Sequence, residues 1–308
     1  MSPLLQEIFC YVGQLNVYEK STAILEKLLG ITTNNMQVNK VTDFYGKKCS
    51  KNESLLVPVL KGIKKSEYVY VEADGSMLFT RDAGWKEVKV GRIFKSSDSI
   101  SSEGKPSYIR HSQYYAHLGD SNTFTAHMDK LIDRYQLSQK QLIFISDGAL
   151  WIKNWIEDAF PGAISILDFY HAKEHLYQFI EVTFKDKSAS KDWGEYQCDL
   201  LLESRLEEVI KNIEIVINPE NKKIGESLIG YYKSNKERMD YKKYKQIGTC
   251  IIGSGAIEFA HRTLIQNRMK LSGQRWSLSG AQNMLNMKTV YMNERWADII
   301  ELTMAKAA

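Results

Sequence analysis

From residue 67 the chain changes its hydrophobic period from that of helices to that of strands, and the order in which strands and helices then follow leaves few folds open. Three runs rich in Val, Tyr, Ile and Phe, at 67–74, 76–81 and 86–96, are punctuated by Asp74-Gly75 and by Asp82-Ala83-Gly84 and read as an antiparallel meander. A polar loop over 96–102 and a further strand near 113–118 follow. The chain then reads as helix 121–136, strand 141–147, helix 149–159, a break at Pro161-Gly162, strand 163–168 and a helix from about 170. Antiparallel strands first and alternating helices and strands afterwards predict a mixed α/β sheet.

Acidic residues fall at the ends of two of these runs. Asp74 closes the first apolar run, Asp147 closes the run Leu142 to Ser146, and Glu258 opens a helix-like stretch rich in Arg and Lys. This order of elements is that of a ribonuclease-H-like sheet, three antiparallel strands followed by two parallel ones. Its first acid lies on the first strand and its second at the end of the fourth. Carboxylates at strand ends and on a helix can converge on hard cations, and two Mg²⁺ ions so held clamp both the attacking and the leaving oxygen of a phosphodiester.

Composition excludes several classes. With 44% hydrophobic and 25% charged residues in 308, the chain has the make-up of a globular protein with a substantial core. It has no run of roughly 18 apolar residues of the kind that spans a membrane, and its start lacks the basic region and cleavage site of a signal peptide, so a cytoplasmic setting is expected. Cys10, Cys49, Cys198 and Cys250 are scattered without a Cys-x-x-Cys pair and read as buried free thiols. The net charge is only +4, yet between His261 and Arg295 six basic residues face one acid, Glu294. That local excess exceeds the charge of the whole chain and suits phosphate contact.

The flanking segments read as helical. Leu4, Leu5, Ile8, Phe9 and Val12, then Ile24, Leu25, Leu28 and Leu29, keep helical spacing, with Gly30 as a stop and a third helix at about 34–45. Residues 1–63 are therefore expected to form a helical, helix-turn-helix DNA-binding segment, with 46–64 as linker. Residues 64–172 with 252–308 would form the catalytic domain and 173–251 a helical insertion domain. In the string Ile252-Gly-Ser-Gly-Ala-Ile-Glu258, Ser254 is the expected cap of the helix that carries Glu258, with His261 and Arg262 on the same face.

The strings Glu72 to Ser76, Gly84 to Gly91, Ser146 to Ala149, Ile166 to His171 and Ile252 to Glu258 together resemble bacterial insertion-sequence transposases of the DDE superfamily, in the group related to Mutator-like elements. The resemblance runs from about residue 3 to 300, although such transposases commonly carry more sequence ahead of the helical segment. It implies a ribonuclease-H-like catalytic fold and a helical insertion before the last acid. It implies Asp74, Asp147 and Glu258 as catalytic and metal-binding residues for two Mg²⁺ ions, with Mn²⁺ accepted. Asp74 would bridge the ions, Asp147 hold one and Glu258 the other. The group's Cys or Asp, two residues, then His signature is matched by Asp168-Phe-Tyr-His171. Asp168, His171 and His261 are the expected supporting residues. Arg262, Arg268, Lys270 and Arg275 are the expected contacts to double-stranded DNA, transposon ends and target alike, with a homodimer or larger assembly on the DNA. The reaction implied is cleavage at element ends followed by strand transfer.

Two other readings compete. His171-Ala-Lys-Glu174-His175 has the His-x-x-Glu-His spacing of a zinc peptidase, in which two histidines on one helix face share an ion. That reading leaves Asp74, Asp147 and the basic segment without a role. The other is a DNA-binding remnant that has kept a transposase scaffold without its chemistry.

Overall fold

A computed structural model describes residues 1–51, 67–102 and 105–305. Three helices come first: α1 (Pro3–Leu15), α2 (Tyr18–Leu29) and α3 (Asn35–Lys51). Pro3 stands in the first turn of α1 and Ser2 caps it by accepting from the Leu5 amide, while Gly30, at φ +65°, ends α2 in the left-handed region. Residues 46–51 of the expected linker are helical, since α3 continues to Lys51; the rest of that linker and residues 52–63 of the expected amino-terminal segment lie outside the described residues.

The sheet follows. Strand β1 (Val69–Thr80) pairs antiparallel with β2 (Gly84–Lys95), and after a two-stranded arm, β3 (Ser99–Ser102) and β4 (Lys105–Ile109), strand β5 (Gln113–Leu118) pairs antiparallel with β2. Helix α4 (Ser121–Asp133) leads to β6 (Leu142–Ser146), helix α5 (Leu150–Ala159) to β7 (Ile164–Leu167). Strand β6 runs parallel to β1, and β7 parallel to β6, giving one mixed sheet in the order β5-β2-β1-β6-β7.

One expectation is corrected here. The runs 67–74 and 76–81 are a single strand, because the register of β1 with β2 continues unbroken from Val69↔Lys95 to Thr80↔Gly84, through Asp74-Gly75. The glycine marks a close approach instead of a turn: a Cβ at Gly75 would collide with the Glu87 carboxylate.

Each face of the sheet carries a helical layer. Val69, Val71, Ala73 and Phe144 pack against Phe124 and Met128 of α4 and Ile152 and Trp155 of α5. The opposite face presents Tyr70, Ile143, Ile145 and Ile166 to α6 (Phe169–Thr183), α7 (Lys187–Leu202), α8 (Leu206–Val216), α9 (Lys222–Asn235) and α10 (Tyr241–Tyr244). Segment 173–251 thus shares one hydrophobic core with the sheet. Fully buried side chains such as Phe179 and Ile213 each stabilise that union by roughly 1.5–3 kcal/mol.

Further along the same face, Leu78, Val88 and Val90 meet Ile257 and Ala260 of α11 (Gly255–His261) and Leu285 of α12 (Leu278–Met292). Between them the chain makes a π turn, Arg262–Gln266, and a last α turn, Asn267–Met269. Helix α13 (Trp296–Met304) ends the described chain. Cys10, Tyr45 and Cys49 of the first helices pack on Met287, Val290 and Ile299, so the amino-terminal segment is fastened to the carboxy-terminal one. Of the four thiols three are buried, but Cys250 is exposed. Among the described residues no helix is long and apolar enough to cross a membrane.

Candidate active site

The register of the two central parallel strands brings the first two acids together. Glu72 stands beside Ile145; Asp74 lies two residues farther along β1 and Asp147 two residues beyond Ile145, just past the end of β6, near enough for the Asp74 charge to act on Asp147. Asp74 Oδ1 accepts from the Gly75 amide at 2.7 Å, and Oδ2 lies 3.0 Å from His261 Nε2. The imidazole is near enough for an ion pair but is not aligned for a hydrogen bond, and its Nδ1 is buried with no hydrogen-bond partner among the described residues. Burial works to raise the Asp74 carboxyl; His261, the Gly75 amide and the more distant His171 outweigh it and hold the group below the usual carboxylate range.

Asp147 behaves oppositely. Burial raises it above the ordinary range and the neighbouring Asp74 charge adds to this, against the Ala149 amide, which donates to Oδ1 at 2.9 Å, and the cations His171 and Arg238. Two neighbouring carboxylates on adjacent parallel strands are hard oxygen donors with charge to share.

Behind them sits a buried hub. Asp168 caps α6, its Oδ1 accepting from the Tyr170 amide at 2.7 Å, while Oδ2 meets His171 Nδ1 at 2.8 Å, the Ser254 amide at 3.1 Å and the Ser254 hydroxyl. Ser254 occupies the cap position of α11, but its side chain turns to Asp168 instead of the helix amides, correcting the expected cap. Burial would raise Asp168, yet the His171 and Ser254 hydrogen bonds hold it below the usual range. Hydrogen bonding to Asp168 raises His171 to about 9, against its burial, and the charges of Asp168, Asp147 and Asp74 reinforce the rise. At neutral pH His171 is therefore a cation facing three aspartates.

Glu258 is exposed on α11, one turn before His261, so the helix carries both to the Asp74 end of the sheet. Its carboxylate is not gathered with the two aspartates: among the described residues no group of three His, Cys, Asp or Glu side chains forms a metal-ligand set. The same holds for His171, Glu174 and His175, of which Glu174 and His175 are exposed and His175 rests against the Tyr231 ring.

Sequence reasoning missed several residues around these acids. Glu72, on the same face of β1 as Asp74, is fully buried with neither oxygen hydrogen-bonded, and burial pushes it up to about 8. Its cross-strand neighbour Arg92, 4% exposed, donates to the Ala256 carbonyl and so ties β2 to the start of the Glu258 helix. Arg238, from the insertion, lies beneath Asp147. The alternation Glu72, Ala73, Asp74 offered a signal for the first; nothing in the spacing of the sequence marked the two arginines.

The basic segment divides. Arg262 and Arg275 are exposed, and exposed Lys270 donates to Ser76 Oγ, close enough to feel the Asp74 charge. Arg268 is only 1% exposed, held between the rings of Tyr18 and Trp276 with Nε donating to the Gly13 carbonyl at 3.0 Å. It joins the first helices to the last and cannot serve the DNA contact expected of it. Lys288 is buried as well.

Comparison with known sequences agrees with a single extended relationship. The chain is 26% identical over 305 residues to a protein of Streptococcus gallolyticus described as a UPF0236 protein in the vanSb 3′ region, covering 95% of this chain and 64% of that protein, so it spans just under two thirds of the curated relative's length. The profile of UPF0236, an uncharacterised protein family, matches residues 16–303, and the chain belongs to that family.

Proposed function

We propose that this chain is a DNA transposase of the DDE kind, a nuclease and strand transferase built on a ribonuclease-H-like sheet. The observation that carries the reading is the placement of Asp74, midway along β1, beside Asp147, which directly follows the adjacent parallel strand β6, so that the Asp74 charge acts on Asp147. The strand order β5-β2-β1-β6-β7, with β1, β2 and β5 antiparallel and β6 and β7 parallel to β1, supports the same fold assignment.

The two aspartates fit divalent metal by donor type, charge and proximity; Glu258, one helical turn from the residue that touches Asp74, is the third ligand in this reading. Two Mg²⁺ ions, when bound there, would polarise the phosphodiester and ease deprotonation of the attacking water or DNA 3′-hydroxyl. The protein's own groups do the rest. The Gly75 amide and His261 fix the Asp74 carboxylate, and the Ala149 amide fixes Asp147. Cationic His171, oriented by Asp168, offsets the repulsion between Asp74 and Asp147. Arg262, Lys270 and Arg275 offer exposed charge to backbone phosphates, Lys270 from beside Ser76 and Asp74.

The test is nicking of supercoiled and linear DNA by purified protein. Cleavage that requires Mg²⁺ or Mn²⁺ and falls at least a thousandfold in both Asp74→Ala and Asp147→Ala, with DNA affinity retained, is the expected outcome. Salt-sensitive binding without cleavage under any metal would select the non-catalytic remnant, and stoichiometric zinc resisting dialysis the peptidase.

A further inference from the structure

We infer that the helical insertion is a working part of the site proposed above, and that Arg238 is the residue through which it positions Asp147. The inference rests on that functional reading only for what Asp147 does, not for how it is held.

Arg238 ends the 3-10 turn Lys236–Arg238 that continues α9, and it is 5% exposed. Its guanidinium lies across the ends of β6 and β7. Nη2 donates to Ser146 Oγ at 2.7 Å and to the carbonyls of Ser146 and Ile166 at 3.3 Å each. Nη1 donates to the Asp147 carbonyl at 3.3 Å and to Asn235 Oδ1 at 3.2 Å, and Nε to Ser165 Oγ at 3.0 Å. Past its last residue a strand loses its ladder partners, and its final carbonyls need others. The Asp168 amide already meets the Ser146 carbonyl at 2.9 Å, and one rigid fork adds a donor to it and to the Asp147 and Ile166 carbonyls across two strands at once, which fixes the direction in which the chain leaves β6 and hence where the Asp147 carboxylate points.

A second contact acts on the next residue. Tyr231, seven residues before Arg238, packs its ring against Gly148, where any Cβ would collide with it. Lys153 Nζ also donates to the Ser234 carbonyl at 3.0 Å. Asp147 is thus gripped on its own carbonyl and on both sides by one helix of the insertion. The long detour between the second and third acids then has a mechanical purpose: without residues 231–238 the turn after β6 would have no wall behind it.

The experiment compares Arg238→Met and Arg238→Lys with Lys288→Met, a buried cation remote from the site, all in the full chain. Two readouts are taken. The first is amide hydrogen exchange of 146–149 without DNA or metal. Arg238→Met is expected to speed exchange there at least tenfold, Arg238→Lys less, and Lys288→Met not at all. The second is metal-dependent nicking. Arg238→Met is expected to lower kcat at least tenfold and raise the Mn²⁺ concentration for half-maximal rate several-fold, with KM for DNA unchanged within twofold and partial rescue in Arg238→Lys.

Wild-type exchange at 146–149 in a folded Arg238→Met would overturn the inference, as would wild-type kcat and metal dependence. Should Arg238→Met fail to fold, Arg238→Lys and Gly148→Ala take its place in both readouts, and wild-type values in them would overturn the inference equally. Absence of nicking in the wild-type protein would instead refute the functional reading, and the exchange result alone would then decide the role of Arg238.

Discussion

Replacing Asp168 by Ala removes the group on which the architecture behind Asp74 and Asp147 converges. The carboxylate is wholly buried and accepts from four groups: the Tyr170 and Ser254 amides, the Ser254 hydroxyl and His171. Loss of the α6 cap costs about 1 kcal/mol. Loss of the charged bond to His171 costs roughly 1.5–3 kcal/mol, and stranding the Ser254 donors adds about 1–3 kcal/mol. Relaxation recovers part of this, so a net loss of about 4 kcal/mol is expected, within the range for breaking a buried ion pair.

The pH dependence provides the sharper check. His171 is raised from 6.5 to about 9, so its contribution is complete below pH 6.5 and is lost as pH rises through about 9. The movement corresponds to at most about 3 kcal/mol. Asp168, held below its usual range, contributes above about pH 4 and loses that contribution as pH falls through its folded pKa. Urea unfolding of wild type, Asp168→Ala and Asp168→Asn between pH 5 and 10 measures the His171 part, and its extension below pH 4 the Asp168 part. In the variants the stability decline between pH 6.5 and 9 should flatten. A loss below 1 kcal/mol in Asp168→Ala, or an unchanged decline in Asp168→Asn, would show that Asp168 does not hold this hub together.

Other predictions follow from neighbouring groups. Glu72, raised from 4.5 to about 8, favours its protonated form when folded, so wild type should lose stability as pH rises from 4.5 through 8. Glu72→Gln should remove that decline, gaining at least about 1 kcal/mol over wild type at pH 8.5 and nothing at pH 4, as read by urea unfolding. Replacing Arg262, Lys270 and Arg275 singly by Ala should lower the slope of log K against log salt for DNA binding by about 0.9 each. Arg268→Met should leave that slope unchanged while lowering the melting temperature by several degrees, because its guanidinium sits between Tyr18 and Trp276.

Much of this architecture is legible in one dimension. The apolar runs that lead up to Asp74 and Asp147 declare themselves because β-branched and aromatic residues stop abruptly at an acid. The error at Asp74-Gly75 has a physical source: that pair favours turns locally, and only the pairing with β2, set by residues up to 26 positions away, carries the strand through. Arg268 was misread because sequence shows charge and not enclosure; its partners Tyr18 and Gly13 lie some 250 residues earlier. Arg238 and Arg92 were invisible for the same reason. A lone arginine in a polar helical stretch is usually a surface residue, and its burial against strand ends depends on tertiary packing that no local pattern encodes. Glu258 was legible as an acid on a helix, and whether its carboxylate joins the aspartates depends on tertiary packing that the sequence does not encode.

The two-metal site is measured most directly by an anomalous diffraction map of crystals grown with Mn²⁺ and a DNA end. Two peaks about 3.5–4 Å apart are expected, both within coordination distance of Asp74 or Asp147, with the Glu258 carboxylate turned in to one of them. A map with ordered DNA but no density between those aspartates, or with metal held by His171 and His175 alone, would contradict such a site.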